Sequence, residues 1–180
     1  SLQPIRGALP IALCAREAGF KGLILPAANA AEAAVTEGLE VYGANTLLDV
    51  VRFLNEECAM EPTRVDTQAL FDQLAFTSDA DFSDVRGQYK VRRAIEVAAA
   101  GGHNMLMVGV PGAGKSMIAK RLPSILPSLT LEEALETTKI HSVAGKLSKN
   151  DSLIATRPFR APHHTISQVA MVGGGSNPQP

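Results

Sequence analysis

The sequence predicts an α/β protein built on parallel β-strands, and three observations carry that prediction. Residues 7–54 alternate helical and strand-like apolar patterns. A second alternation begins at Asp81, where a helical face is followed by the apolar run 104–110 (NMLMVGV). That run leads into a glycine-rich loop and then another helical pattern. Strands separated by helices imply βαβ units, whose strands run parallel.

Residues 7–18 predict a helix closed by Gly19, and Gly22–Pro26 (GLILP) predicts a short buried strand. Asn29 is placed to cap a helix through about Glu37. Residues 39–42 (LEVY) predict a second strand. Thr46 and Asp49 then form a capping-box pair, followed by Leu47, Val50, Val51 and Leu54 at helical spacing. Residues 56–83 are interrupted by Pro62 and enriched in acidic and small polar types, which predicts a connector with a short helix near 65–74. The expected division is residues 1–58, a linker at 59–80, and a second domain at 81–180.

In that second part Val91, Ala94, Ile95, Ala98 and Ala99 form one helical face, ended by Gly101-Gly102. Residues 104–110 predict a buried strand, and 116–126 a helix bent or ended near Pro123. Thr130 and Glu133 form a capping box for a helix through about His141. Residues 148–158 predict a loop with a short strand, and 165–172 a weak helix or strand broken by Gly173-Gly174-Gly175.

Composition narrows the function classes. A net charge of -1 supplies no global basic field for nucleic acid, although it leaves a local basic surface open. The absence of Trp and the 4% aromatic content argue against a base-stacking platform for single strands. Cys14 and Cys58 match no metal or redox spacing and are expected to be buried or idle thiols, as suits a reducing cytosol. No apolar run approaches bilayer length, and Pro10 interrupts the stretch at 7–15, so a buried helix is expected there rather than a signal peptide. The expected setting is cytoplasmic, without a membrane partner. The absence of an initiator Met and the ending Pro178-Gln179-Pro180 predict an internal piece of a longer protein.

The run Gly109-Val110-Pro111-Gly112-Ala113-Gly114-Lys115-Ser116 fits G-x-x-x-x-G-K-[ST] once in the chain. A triphosphate concentrates negative charge, so backbone N–H groups must approach it closely. Gly112 and Gly114 carry no Cβ to block that approach and can adopt positive φ. The amides of residues 112–115, ahead of a helix start, then make an anion nest. Lys115 is the catalytic candidate, a point charge for the β and γ phosphates. Ser116 is the candidate ligand of Mg²⁺, which prefers oxygen, and Met117 completes the binding set. A glycine turn that merely precedes lysine arises by chance in roughly one such chain in a few hundred. The expected ligand is therefore ATP with Mg²⁺. Hydrolysis needs a further carboxylate on the metal, usually at the end of an apolar strand. No such strand follows Ser116, so slow turnover by this chain alone is expected.

Gly101-Gly102-His103-Asn104, the phosphate loop, the block Arg157-Pro158-Phe159-Arg160-Ala161-Pro162-His163-His164-Thr165 and Val172-Gly173-Gly174-Gly175 resemble the magnesium-chelatase-like AAA+ ATPases of the YifB/ComM family. The likeness covers essentially the whole chain, and the Arg-Pro-Phe-Arg block is its most specific part. It implies an α/β P-loop NTPase (AAA+) module with a truncated parallel sheet, working as a homo-hexameric ring ATPase. It also implies a motor that acts on DNA by branch migration, linked to recombination or natural transformation. The Walker B strand, sensors and arginine finger would lie beyond Pro180, and a family hairpin insert near 168–180. Asp84-Val85-Arg86-Gly87-Gln88 is similar to the segment lining the adenine pocket, with Val85 as the candidate base contact. Residues 1–58 resemble the C-terminal part of a Lon-protease-like (ribosomal S5 domain 2-like) α/β domain. Leu9 stands where true Lon proteases carry their catalytic lysine, so a non-peptidase scaffold is implied.

Other residues invite plainer explanations. Adjacent His163 and His164 would point to opposite faces of a strand with no nearby Cys or carboxylate, which disfavours a metal. His103 is expected at a turn. Arg157, Arg160 and His163 make a small basic cluster, either solvated or facing nucleic-acid phosphate or an acidic neighbouring subunit. Lys90, Arg92 and Arg93 are expected on the wet face of a helix, as are Glu132, Glu133 and Glu136. Two alternatives to the DNA motor remain: an ATPase remodelling a protein or metal-insertion partner, and a nucleotide-binding module without motor activity.

Overall fold

Short apolar strands alternating with alanine-rich helices give a mixed α/β structure with a small parallel sheet. The computed structural model describes residues 1–75, 80–147, 151–163 and 165–166. His164, the glycines at 173–175, most of the element expected at 165–172 and the insert expected at 168–180 therefore lie outside the described residues. The first part runs α1 (Ala8–Glu17), β1 (Gly22–Pro26), α2 (Ala27–Ala34), β2 (Glu40–Ala44) and α3 (Leu47–Leu54). Then come α4 (Thr67–Ala75), α5 (Tyr89–Gly101), α6 (Lys115–Arg121) and α7 (Leu131–Val143), with 3-10 turns at Phe82–Asp84 and Leu122–Ile125.

β1 and β2 pair in parallel, in register from Gly22 opposite Glu40 to Pro26 opposite Ala44. α2 is their crossover, and its alanines let it lie close on the sheet. A Cβ on Gly43 would sit 2.9 Å from Ala30 Cβ and 3.1 Å from Ala27 Cα, so glycine is what permits that approach. Asn29 does not cap α2, which starts directly after Pro26. Its side chain is buried and bonds both the N–H and the carbonyl of Ile5, each at 2.9 Å. Glu32 accepts from the Leu9 N–H in the first turn of α1 (3.0 Å) and from the Ser142 hydroxyl of α7. One carboxylate on α2 thus holds an amide in the first turn of α1 and a hydroxyl on a helix 110 residues beyond Glu32.

Both predicted capping boxes are present, Thr46 with Asp49 on α3 and Thr130 with Glu133 on α7. Three apolar clusters organise the interior. Ala8, Ala12, Leu25, Ala30, Ala33 and Val41 join α1, α2 and the sheet. Leu9, Val35, Leu129, Ala134 and Leu153 form the second, against which Leu70, Phe71 and Leu74 of α4 pack. The segment expected as a linker therefore carries a packed helix, and α1 and α7 share its core. Phe82, Val85, Ile95 and Ile118 form the third cluster, with Val91, Met107, Leu122 and Ile125 against it. Each buried Leu, Ile, Val or Phe contributes about 1.5–3 kcal/mol.

Further expectations need correction. Residues 104–110 form no strand, and Leu106, Val108 and Val110 are 86%, 88% and 72% exposed. A strand needs a hydrogen-bonding neighbour, and among the described residues the only sheet is β1–β2. Met107 alone turns inward onto the third cluster. The described part of 148–158 likewise holds no strand. Of the two alternatives for the cysteines, burial is excluded, since Cys14 and Cys58 are both exposed free thiols. The helix α3 forms where predicted, yet Leu47, Leu48, Val51 and Leu54 face outward. No helix among the described residues is long and apolar enough to cross a membrane.

Candidate functional site

The glycine-rich loop links the extended apolar segment to α6. Gly112 and Gly114 both adopt φ 80°, a left-handed conformation that disfavours any side chain. Gly114 is the N-cap of α6, without a side-chain cap. A Cβ at Gly112 would meet nothing within 4 Å, so that side of the loop is open. Lys115 folds back over the loop, and its Nζ donates to the carbonyls of Gly109 (2.7 Å) and Val110 (2.8 Å). The Ala113 N–H donates to the Val110 carbonyl at 3.3 Å, which tightens the turn. The first amides of α6 have no intrahelical acceptor. Ser116 and Met117 are exposed beside them. The loop thus gathers unused donors around one ammonium and one hydroxyl, a donor set that suits a polyanion.

A second segment braces this loop. Gly87 (φ 67°) and Gln88 (φ 47°) turn sharply before α5. Gln88 Nε2 donates to the Ala113 carbonyl at 3.3 Å. Asp84 pairs with Arg121 of α6 at 3.2 Å. Val85 is 1% exposed, so its side chain belongs to the cluster beneath the loop, not to an open surface. A cleft of about 310 Å³ adjoins Lys115, lined by Gln88, Val91, Ala94, Leu106 and Val108 among others. Gln88 lies at the end of the segment likened to an adenine-pocket lining, where only Val85 is singled out as a contact; its reach to the loop follows from a contact 25 residues apart.

Among the described residues no three His, Cys, Asp or Glu side chains gather to hold an ion. The exposed Ser116 hydroxyl could offer one oxygen to a hard cation such as Mg²⁺, whose remaining ligands would have to come from elsewhere.

The other candidates spread over the surface. His163 Nδ1 lies 2.8 Å from Thr165 Oγ1. Arg157 Nε donates to the Pro127 carbonyl at 2.8 Å, and its Nη2 lies 3.8 Å from Glu133. That arginine therefore fastens the 151–159 segment to the start of α7. His103 closes α5 through its N–H to the Ala98 carbonyl, the turn role expected of it. Lys90 and Arg93 are solvated as expected, whereas Arg92 is half-buried, with its guanidinium 5.9 Å from the Phe82 ring centroid. Glu132 and Glu136 are exposed.

Residues 81–180 match the family described as magnesium chelatase, subunit ChlI. An uncharacterized protein of Mycobacterium tuberculosis (strain H37Rv) is 45% identical over 177 residues, covering 97% of this chain and 34% of the relative. Competence protein ComM of Haemophilus influenzae is 40% identical over 181 residues, covering 99% of this chain and 35% of that protein. The protein YifB of Salmonella typhimurium is 41% identical over 182 residues, covering 100% and 34%. The chain spans about a third of the length of these relatives.

Proposed function

Because the chain belongs to the magnesium chelatase, subunit ChlI, family, within its ComM/YifB branch, we propose that residues 109–116 bind ATP with Mg²⁺ as part of an AAA+ ATPase. The observation that carries this is the pair of left-handed glycines, Gly112 and Gly114, flanking a loop whose next residue is Lys115. The amides of residues 112–115 would hold phosphate oxygens. Lys115 would leave the Gly109 and Val110 carbonyls, or share its protons with them, to meet the β and γ phosphates. Ser116 would hold Mg²⁺, and Met117 would continue the wall. Val85 would support the base through its backbone, since its side chain is buried.

Within this reading residues 1–58 are the C-terminal part of a Lon-like domain, 59–80 the joining segment and 81–180 the start of the AAA+ module. Leu9 sits wholly buried at the position assigned to a protease lysine, which supports a scaffold role. The longer protein is a cytoplasmic hexameric ring that hydrolyses ATP and moves DNA. The name of the Haemophilus relative, a competence protein, supports DNA as partner. The family description supports a second possibility, an ATPase that remodels a protein or metal-insertion partner.

ATP hydrolysis by the longer protein separates them. Stimulation by DNA supports the motor; indifference to DNA with stimulation by a protein partner supports the second. Absence of both, with binding intact, leaves a nucleotide-binding module.

A further inference from the structure

Gln88 is placed unusually for a residue without an assigned role. Its φ of 47° is left-handed, and glutamine lacks the short side chain that lets Asn or Asp adopt that region readily. It stands at the N-cap of α5 yet makes no cap bond to its own helix. Its amide reaches the loop instead, where Nε2 donates to the Ala113 carbonyl at 3.3 Å. The same nitrogen lies 3.8 Å from the point a Cβ on Gly114 would occupy. The turn that carries Gln88 is anchored at its other end by the Asp84–Arg121 pair and by buried Val85.

Ala113 C=O and Gly114 N–H belong to one planar peptide, and no cis bond occurs among the described residues. In a trans peptide the two groups point in opposite directions. Gripping the carbonyl from one side therefore fixes the N–H toward the other. We infer that Gln88 is a positioning residue of the phosphate loop, which sets the 113–114 peptide so that the Gly114 amide faces a bound polyphosphate. The inference rests on the nucleotide-binding proposal above and adds what holds the loop ready. The strained backbone at Gln88 is the conformation from which its side chain reaches the loop.

Gln88→Asn and Gln88→Gly test it in the 180-residue chain. Asn tolerates a left-handed backbone but is one methylene short, and Gly removes the strain together with the side chain. Both variants are expected to melt no lower than the parent and to bind Mg·ATP about three- to tenfold more weakly, the loss of one neutral hydrogen bond. Without nucleotide, the Gly114 amide resonance should move in both. Parental affinity in both variants overturns the inference, as does a loss of affinity that only tracks a lower melting temperature. If the parent itself fails to bind Mg·ATP, the nucleotide reading falls. The inference, which concerns an amide facing a bound polyphosphate, then falls with it, whereas a parent that binds and variants that match it overturn the inference alone.

Discussion

Replacing Lys115 by Ala removes one ammonium and two short hydrogen bonds, at 2.7 and 2.8 Å, to the Gly109 and Val110 carbonyls. Both are exposed in the free protein. Water replaces them there, so the fold should lose less than about 1 kcal/mol. With a triphosphate in the loop the same ammonium makes charge-assisted contacts worth about 1.5–3 kcal/mol each. One such contact corresponds to roughly one to two decades of affinity, and two to more. Lys115→Ala should therefore show no saturable Mg·ATP binding over the range where the parent saturates, with a nearly unchanged melting curve. Calorimetric titration alongside thermal denaturation of both proteins measures the two effects. Lys115→Arg should not restore binding, because a planar fork does not replace a compact point charge. Parental affinity in Lys115→Ala would refute the reasoning, and a lost fold would void it as evidence about binding.

Gly43→Ala should cost about 1–3 kcal/mol in urea denaturation, because its Cβ would press on the Ala27 backbone at 3.1 Å, which cannot rotate away. Thr46→Val removes the acceptor for the Asp49 N–H and should cost about 1 kcal/mol by the same measurement. The Thr46 N–H holds the Asp49 carboxyl below its ordinary 3.8, and the Ser83 N–H does the same for Asp81. Their contribution is present above that value and lost as pH falls through the lowered ones, so Asp49→Asn should flatten the acid limb of the stability curve. Burial, then the charges of Lys146 and Arg160, hold His141 below 6.5. A group with a depressed folded pKa favours the fold fully above the unfolded value. Melting temperature should therefore fall as pH drops below 6.5, and less so in His141→Gln.

Local signals were legible wherever the controlling contacts are local. Thr-x-x-Asp and Thr-x-x-Glu boxes are settled within four residues, and both helices start where those residues stand. β1 carries the bounds read from GLILP. Gly112 and Gly114 adopt the positive φ that their motif demands. What escaped depends on distant partners. Periodicity marked 104–110 as apolar and extended, but burial of a strand requires neighbours that local sequence does not specify. Asn29 looked like a cap because its type suits one, whereas the Ile5 backbone claimed its side chain. Arg92 lies on the polar side of its helix by spacing, yet Phe82 draws its guanidinium inward. Glu32 meeting Ser142, and Gln88 meeting Ala113, join residues 110 and 25 apart, and no periodicity reports such pairs.

Backbone amide NMR of the ¹⁵N-labelled chain during titration with Mg·ATP reaches the central claim without any substitution. Capture of a polyphosphate by the glycine loop should move the amide signals of Gly112, Gly114, Lys115 and Ser116 first and furthest, saturating at one nucleotide per chain. A titration that leaves those four signals in place, whether or not others move, would contradict it.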